Sequence, residues 1–293
     1  MMRFFAAFPA LLPALALIVG SLSLSSGSSF AKQLFPIIGP QGTTSLRTAL
    51  AALILLAIWR PWRRPLAPRD LRNIALYGAS LGMMNLCFYL ALRTVPLGIV
   101  IAIELMGPLT VGLAASRRRA DFLWIGFAVI GLLLLLPLSP GANSLDPVGV
   151  AFAAGAGACW GLYVIFGQRA GSVHGGQAIS LGMLVAALTV LPFGWAEAGT
   201  ALFQPTVLLA GLGVAILSSA IPFSLDMFTL TRLPKQVYGV LVSMEPALGA
   251  LVALAILGET LTPLQWLAVA CIMIASIGST LGVKAARAPA EAL

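Results

Sequence analysis

Residues 93–113 read RTVPLGIVIAIELMGPLTVGL, and residues 231–251 read TRLPKQVYGVLVSMEPALGAL. Set 138 positions apart, Pro96 meets Pro234, Met106 meets Met244, Pro108 meets Pro246 and Leu113 meets Leu251. Each copy carries two prolines twelve residues apart, the second inside an apolar run. The runs leading into them agree in outline, FYLAL against MFTL. A looser match at an offset of 135 joins Gly20 to Gly155 and brings Gln33 near Gln168. Self-similarity at this spacing divides the chain into halves, 1–145 and 146–293.

The composition says where such halves live. Of 293 residues, 60% are hydrophobic and 9% are charged, against roughly 25% charged in soluble domains. So little charge cannot cover a soluble surface. Ten apolar stretches can be read, near 10–31, 43–59, 73–92, 97–115, 122–138, 148–168, 177–196, 206–229, 236–256 and 264–283. Each approaches the ~20 residues that cross a bilayer. Continuous apolar runs argue against a β-barrel, whose strands alternate. Arg3 before the first run resembles a signal-peptide start. That apolar and serine-rich run reaches Phe30, so it reads as a span.

The expected fold class is therefore an all-α polytopic membrane protein. It has ten transmembrane helices arranged as two five-helix repeats. Five is odd, so the second repeat enters the membrane inverted. Such repeats are typical of secondary transporters, with a site near the midplane between the halves.

The net charge of +8 sorts by side. With both termini in the cytoplasm, fourteen Lys and Arg residues face inward and only Lys32 and Arg93 face outward, as the positive-inside rule asks. The excess therefore orients spans and calls for no nucleic acid. Arg117, Arg118 and Arg119 suit anionic lipid headgroups beside a short loop. Cys87, Cys159 and Cys271 lie within spans at no metal-ligand spacing, and His174 stands alone in a loop. No cofactor or metal is expected.

Ionisable groups inside spans are costly and mark function first. Four stand out: Arg47, Glu104, Asp226 and Glu245. Glu245 lies near the midplane and precedes Pro246, read as an intrahelical proline that kinks its helix. A carboxyl group there can pair with an ammonium or carry a proton. Glu104 lies in the outer half, where Arg47 is within reach of it. Arg47 could instead hold a substrate carboxylate by a two-pronged contact. Asp226 and Arg47 both read as close enough to an interface to reach it. Asn85 and Tyr89 share one helical face by their four-residue spacing, and Trp160 and Tyr163 share another. Ser21, Ser25 and Ser28 give the first span a hydroxyl face. Cavity lining and helix packing both account for these residues. The pairs Gly78–Gly82, Gly157–Gly161 and Gly278–Gly282 read as packing motifs.

The stretch Pro246–Leu251, followed by LGETLTPLQW (Leu257–Trp266) and a glycine-marked last span, resembles the drug/metabolite transporter superfamily of EamA type. Further strings are similar to its bacterial inner-membrane exporters of threonine and homoserine. They are TVPLGI (Thr94–Ile99), SRRRADF (Ser116–Phe122), GAGACW (Gly155–Trp160), GQRAG (Gly167–Gly171), LTRLP (Leu230–Pro234) and SMEPAL (Ser243–Leu248). The resemblance implies ten spans and export of small amino acids by proton antiport across the inner membrane. Other solutes of the same fold remain open: aromatic amino acids, nucleosides or drugs. So does the oligomeric state, a homodimer included.

No enzyme constellation emerges. There is no Walker A sequence, no HExxH and no nucleophile elbow, so the chain reads as a non-enzyme that draws on gradients. A membrane-embedded enzyme or a scaffold subunit is the rival outside transport.

Overall fold

A computed structural model describes residues 11–63, 65–114, 121–135, 145–230 and 242–287. Among them the regular structure is helical. The first helices are α1 (Leu11–Lys32), α2 (Phe35–Trp59), α3 (Pro68–Ala91), α4 (Leu97–Glu104), α5 (Met106–Ala114) and α6 (Asp121–Leu135). After these come α7 (Pro147–Ala198), α8 (Pro205–Ala215), a π-turn (Ile216–Ala220), α9 (Ile221–Leu230), α10 (Glu245–Leu257) and α11 (Pro263–Arg287). Six described segments are long and apolar enough to cross a membrane by length and composition. The protein is an all-α polytopic membrane protein. Arg117, Arg118 and Arg119, and the Leu230–Pro234 string after its first residue, lie outside the described residues.

Proline and glycine punctuate these helices where the backbone needs them. In α2, Gly39 adopts φ +68° and Pro40 follows, so the helix proper restarts there. The amides of Gln41 and Gly42, which a new helix start leaves without partners, donate to Glu197 Oε2 at 2.7 and 3.1 Å. At α7, Asp146 accepts from the amides of Val148 and Gly149 at 3.1 and 3.2 Å.

The sequence suggests a loop between spans six and seven. The helical segment α7 instead runs through that region and doubles back. Tyr77 of α3 packs against both Gly167 and Gly182. Fifteen residues of straight helix would separate those two by ~22 Å, more than one ring can bridge. Gly155 faces Cys87 while Gly78 and Gly82 face Gly182, Val185 and Ala186, so one limb runs antiparallel to α3 and the other parallel. The expected packing role of the glycines is visible here, since a Cβ on Gly82 would lie 2.8 Å from the Ala186 carbonyl oxygen.

Two proline-marked spans differ from the reading above. Pro246 does not kink a continuous helix. Ser243 and Met244 form a turn, Glu245 is the first residue of α10, and Pro246 stands in its first turn. Proline suits that position, because its missing N–H would have no intrahelical acceptor. The matching span is likewise interrupted at Leu105, between α4 and α5. These two broken spans pack on each other. A Cβ on Gly98 would lie 2.6 Å from the Ala250 Cβ, and Gly249 faces the tip of Ile101.

The described basic residues separate along the bundle. Lys32 and Arg93 sit at one end, which the contacts of Glu197, Asp146 and Glu259 also mark. Arg60, Arg63, Arg69, Arg72 and Arg169 sit at the other, where the Gln177 amide donates to the Pro61 carbonyl at 2.7 Å.

Candidate functional site

One cavity of about 90 Å³ opens inside the bundle, and eight of the nine residues singled out from the sequence line it: Glu245, Glu104, Asp226, Arg47, Asn85, Trp160, Tyr163 and Ser25. The ninth, Tyr89, does not line it. Its ring is fully buried beneath Arg47, with the guanidinium carbon 4.7 Å from the ring centroid.

The cavity has a chemical layout. Counted from the Lys32 end, Asn85, Glu104 and Ser25 lie six or seven residues into their helices, and Arg47 lies seven past the restart of α2 at Pro40, ~10 Å deep. Glu245, Trp160 and Gly20 lie about twelve or thirteen residues in, and Asp226 and Tyr163 deeper still. The floor is thus polar and close to the Lys32 end, while the cavity extends toward the Arg60 end. Met84, Phe88, Ile101, Pro222 and Phe223 supply the apolar wall.

Arg47 decides the floor. It is 1% exposed, so it does not reach an interface as its sequence position allowed. Nor does it pair with Glu104: among the described residues the ion pair within 4.0 Å is Lys32–Glu259. The reason is span eight. Its π-turn presents neighbouring serines on one side, and Arg47 Nη1 donates to the Ser218 carbonyl at 2.7 Å, to Ser218 Oγ at 3.1 Å and to Ser219 Oγ at 2.9 Å. Nη2 donates to Asn85 Oδ1, and the Asn85 amide donates onward to the Leu81 carbonyl at 2.7 Å. Nε, although buried, has no hydrogen-bond partner among the described residues. Ser218 and Ser219 were not singled out by the sequence reading. Their only signal is a pair of hydroxyls in an apolar run (ILSSAIP), and wide turns of this kind recur at functional sites.

Glu245 is held differently. It starts a helix, where the aligned peptide dipoles place partial positive charge, and it accepts a hydrogen bond from Ser21 Oγ at 2.9 Å. Ser21 belongs to the hydroxyl face of the first span and also lines the cavity. Span one seats itself by close approach: a Cβ on Gly27 would lie 2.6 Å from the Ser218 amide nitrogen, and Ser23 Oγ donates to the Leu217 carbonyl at 2.6 Å. Tyr163 stacks on Tyr77 at 4.9 Å between centroids. Among the described residues no group of three His, Cys, Asp or Glu could hold a metal.

At the Lys32 end one carboxylate joins two helix termini. Glu259 follows the left-handed Gly258 cap of α10 (φ +68°). It pairs with Lys32 at the end of α1 and accepts from the Leu97 amide at the start of α4, at 2.9 Å. It belongs to the LGETLTPLQW string.

Comparison with known proteins agrees with this arrangement. The model of the EamA-like transporter family matches residues 147–281. The threonine/homoserine exporter RhtA of Escherichia coli K12 is 50% identical over 94% of this chain and 94% of its own length. The protein of the same name from Salmonella typhimurium LT2 is 49% identical over the same shares. An uncharacterized inner membrane transporter of Escherichia coli K12, YedA, is 27% identical over 80% of this chain and 77% of its own. A solved crystal structure superposes with a TM-score of 0.61 at 18% identity, covering 93% of this chain and 99% of its own, a likeness of fold.

Proposed function

This chain belongs to the EamA-like transporter family, and on that premise we propose that it exports small neutral amino acids, threonine and homoserine first, across the bacterial inner membrane by proton antiport. The observation that carries the substrate class is end-to-end similarity, 50% identity over 94% of both chains, to a protein named for that export. The cavity suits the chemistry. It sets a guanidinium and three carboxyl groups around one space within an apolar bundle, so a zwitterion finds an opposite charge for each of its ends.

In this reading the halves 1–145 and 146–293 are inverted repeats that rock about the cavity, with both termini in the cytoplasm. Substrate enters from the Arg60 end and leaves past the Glu259 tie. A proton returns on Glu245 or Glu104. The aromatic wall of Phe88, Trp160, Tyr163 and Phe223 favours a second reading, export of aromatic amino acids or nucleosides. A membrane-embedded enzyme would need a convergent acid, base or nucleophile at a membrane interface, and Glu245 lies near mid-depth instead.

The test is uptake of labelled threonine and homoserine into inside-out vesicles, with and without a proton gradient, against a panel of unlabelled competitors. Gradient-dependent uptake blocked by threonine and homoserine supports the first reading. Uptake blocked instead by tryptophan or nucleosides moves the assignment to the second.

A further inference from the structure

Arg47 is a buried cation without a contact anion among the described residues. Its cage is neutral throughout: two serine hydroxyls, a backbone carbonyl, an amide oxygen and the face of Tyr89. Glu104 lines the same cavity but makes no contact pair with the guanidinium; a buried charge held only by neutral contacts is costly, and inside a membrane protein such a group marks a ligand path. The guanidinium has five N–H donors. Nη1 spends both of its own on the π-turn, and Nη2 gives one to Asn85. Nε–H and the second Nη2–H have no acceptor among the described residues. Nε and Nη2 lie side by side along one edge of the planar group, the edge whose spacing matches the two oxygens of a carboxylate.

We propose that the Nε–Nη2 edge of Arg47 is the seat of the substrate's carboxylate, and that the Asn85 amide oxygen holds this seat between substrates. The proposal rests on the exporter reading and adds which chemical group the site demands. An arriving carboxylate displaces a neutral amide oxygen and supplies a contact anion. Charge-assisted bonds are roughly twice as strong as neutral ones, so the exchange favours the substrate. Asn85 lines the cavity and keeps its bond to the Leu81 carbonyl, an anchor about which its oxygen can withdraw. The π-turn and the Tyr89 ring grip the other side of the guanidinium, so the cation stays in place as its partners change. The substrate ammonium then faces the nearer carboxyl groups of the same cavity, Glu104 at the depth of Arg47 and Glu245 beyond it. The seat makes a free carboxylate obligatory and leaves the side chain to the apolar wall.

The wild-type protein in proteoliposomes gives the first arm of the test. Labelled threonine is competed with unlabelled threonine, with threoninamide and with 1-aminopropan-2-ol, which keeps the amine and hydroxyl and lacks the carboxylate. The two analogues should compete at least ~30-fold more weakly, the loss expected for a charge-assisted pair. The second arm is Asn85→Asp, a near-isosteric change that places a carboxylate on the seat permanently. It should raise the KM for threonine at least tenfold while leaving the melting temperature in detergent equal or higher. If Arg47 only pins helices together, Asn85→Asp strengthens the pin and transport is unimpaired. Equal potency of threoninamide, or unchanged KM in Asn85→Asp, overturns the seat and leaves the exporter reading intact. If wild-type vesicles carry no amino acid, the exporter reading falls and the seat falls with it. Should Asn85→Asp not fold, the competition arm decides alone, since it needs no variant.

Discussion

The chain interrupts a helix twice beside a carboxyl group, and the two interruptions are covered differently. At the first, Glu104 ends α4 and Leu105 turns into α5, and both are buried at 7% and 1% exposure. A Cβ on Gly107 would collide with the Gly157 carbonyl, and one on Gly157 would lie 2.9 Å from the Glu104 carbonyl oxygen. Backbone meets backbone there. At the second, Met244 is 39% exposed, and Gly249 faces the terminal methyl of Ile101. Glu245 starts its helix and takes the Ser21 hydroxyl. The carboxyl groups are not at matched positions either: 138 residues before Glu245 stands Gly107, and 138 after Glu104 stands Val242. The repeat supplies a break in each half. At the first break itself backbone crosses backbone at Gly107 and Gly157, whereas among the described residues Glu245 at the second is held by a side-chain hydrogen bond from Ser21.

The largest expected effect sets one acid against the other. Glu245→Gln should abolish gradient-driven export in inside-out vesicles, a loss of more than tenfold, with the protein still folded. Glu104→Gln should leave a measurable part of it. Equal losses would erase the functional difference between the two breaks.

Stability separates the breaks next. Gly107→Ala forces a backbone to shift and should cost ~1–3 kcal/mol, read as a lower melting temperature in detergent. Gly249→Ala meets only the tip of a flexible isoleucine and should cost less than ~1 kcal/mol. A Gly107→Ala protein as stable as the parent would mean that the first break is not locked.

The Ser21 bond is smaller. Ser21→Ala removes one hydrogen bond from Glu245, worth ~1 kcal/mol, so export at limiting threonine should fall about fivefold and Ser21→Thr should restore it. No change on removing the hydroxyl would show that Glu245 is held by its helix alone.

The smallest effect serves as a control away from both breaks. The Thr94 hydroxyl, with the amides of Val148 and Gly149, holds the Asp146 carboxyl below the usual aspartate range. A lowered folded value means that its stabilisation is complete above the ordinary aspartate range. It fades as pH falls through that lowered value. Asp146→Asn should therefore flatten the acid limb of a plot of melting temperature against pH. Near neutrality little should change, because asparagine caps helices about as well. An acid limb identical to the parent's would show that Asp146 does not contribute to it.

Much of this was legible beforehand, for identifiable reasons. Apolar runs and proline positions are one-dimensional signals, and they located the broken spans and the candidate acids. The four-residue spacing of Asn85 and Tyr89 put both on one helical face, and the structure sets that face against Arg47, although only Asn85 lines the cavity. Charge alone suggested that Arg47 pairs with Glu104; the two share the cavity but form no contact pair within 4.0 Å. The π-turn that captures Arg47 widens span eight by local backbone geometry, which no hydrophobic pattern announces. The antiparallel limbs of α7 were expected as separate spans. Only the double contact of Tyr77 shows the reversal within a helical segment.

The sequence by itself determined the medium, the helical class, the proline-marked spans and the short list of polar groups. Each follows from a local cost: an unpaired backbone in lipid, a proline without its N–H, a charge out of water. Which of those groups touch was decided by the tertiary structure alone. Arg47 meets Ser218 across 171 positions and Ser21 meets Glu245 across 224. Pairings at such separations are set by how glycine-lined helices seat against one another, as Gly27 seats on the π-turn, and that close approach exists only once the bundle has formed.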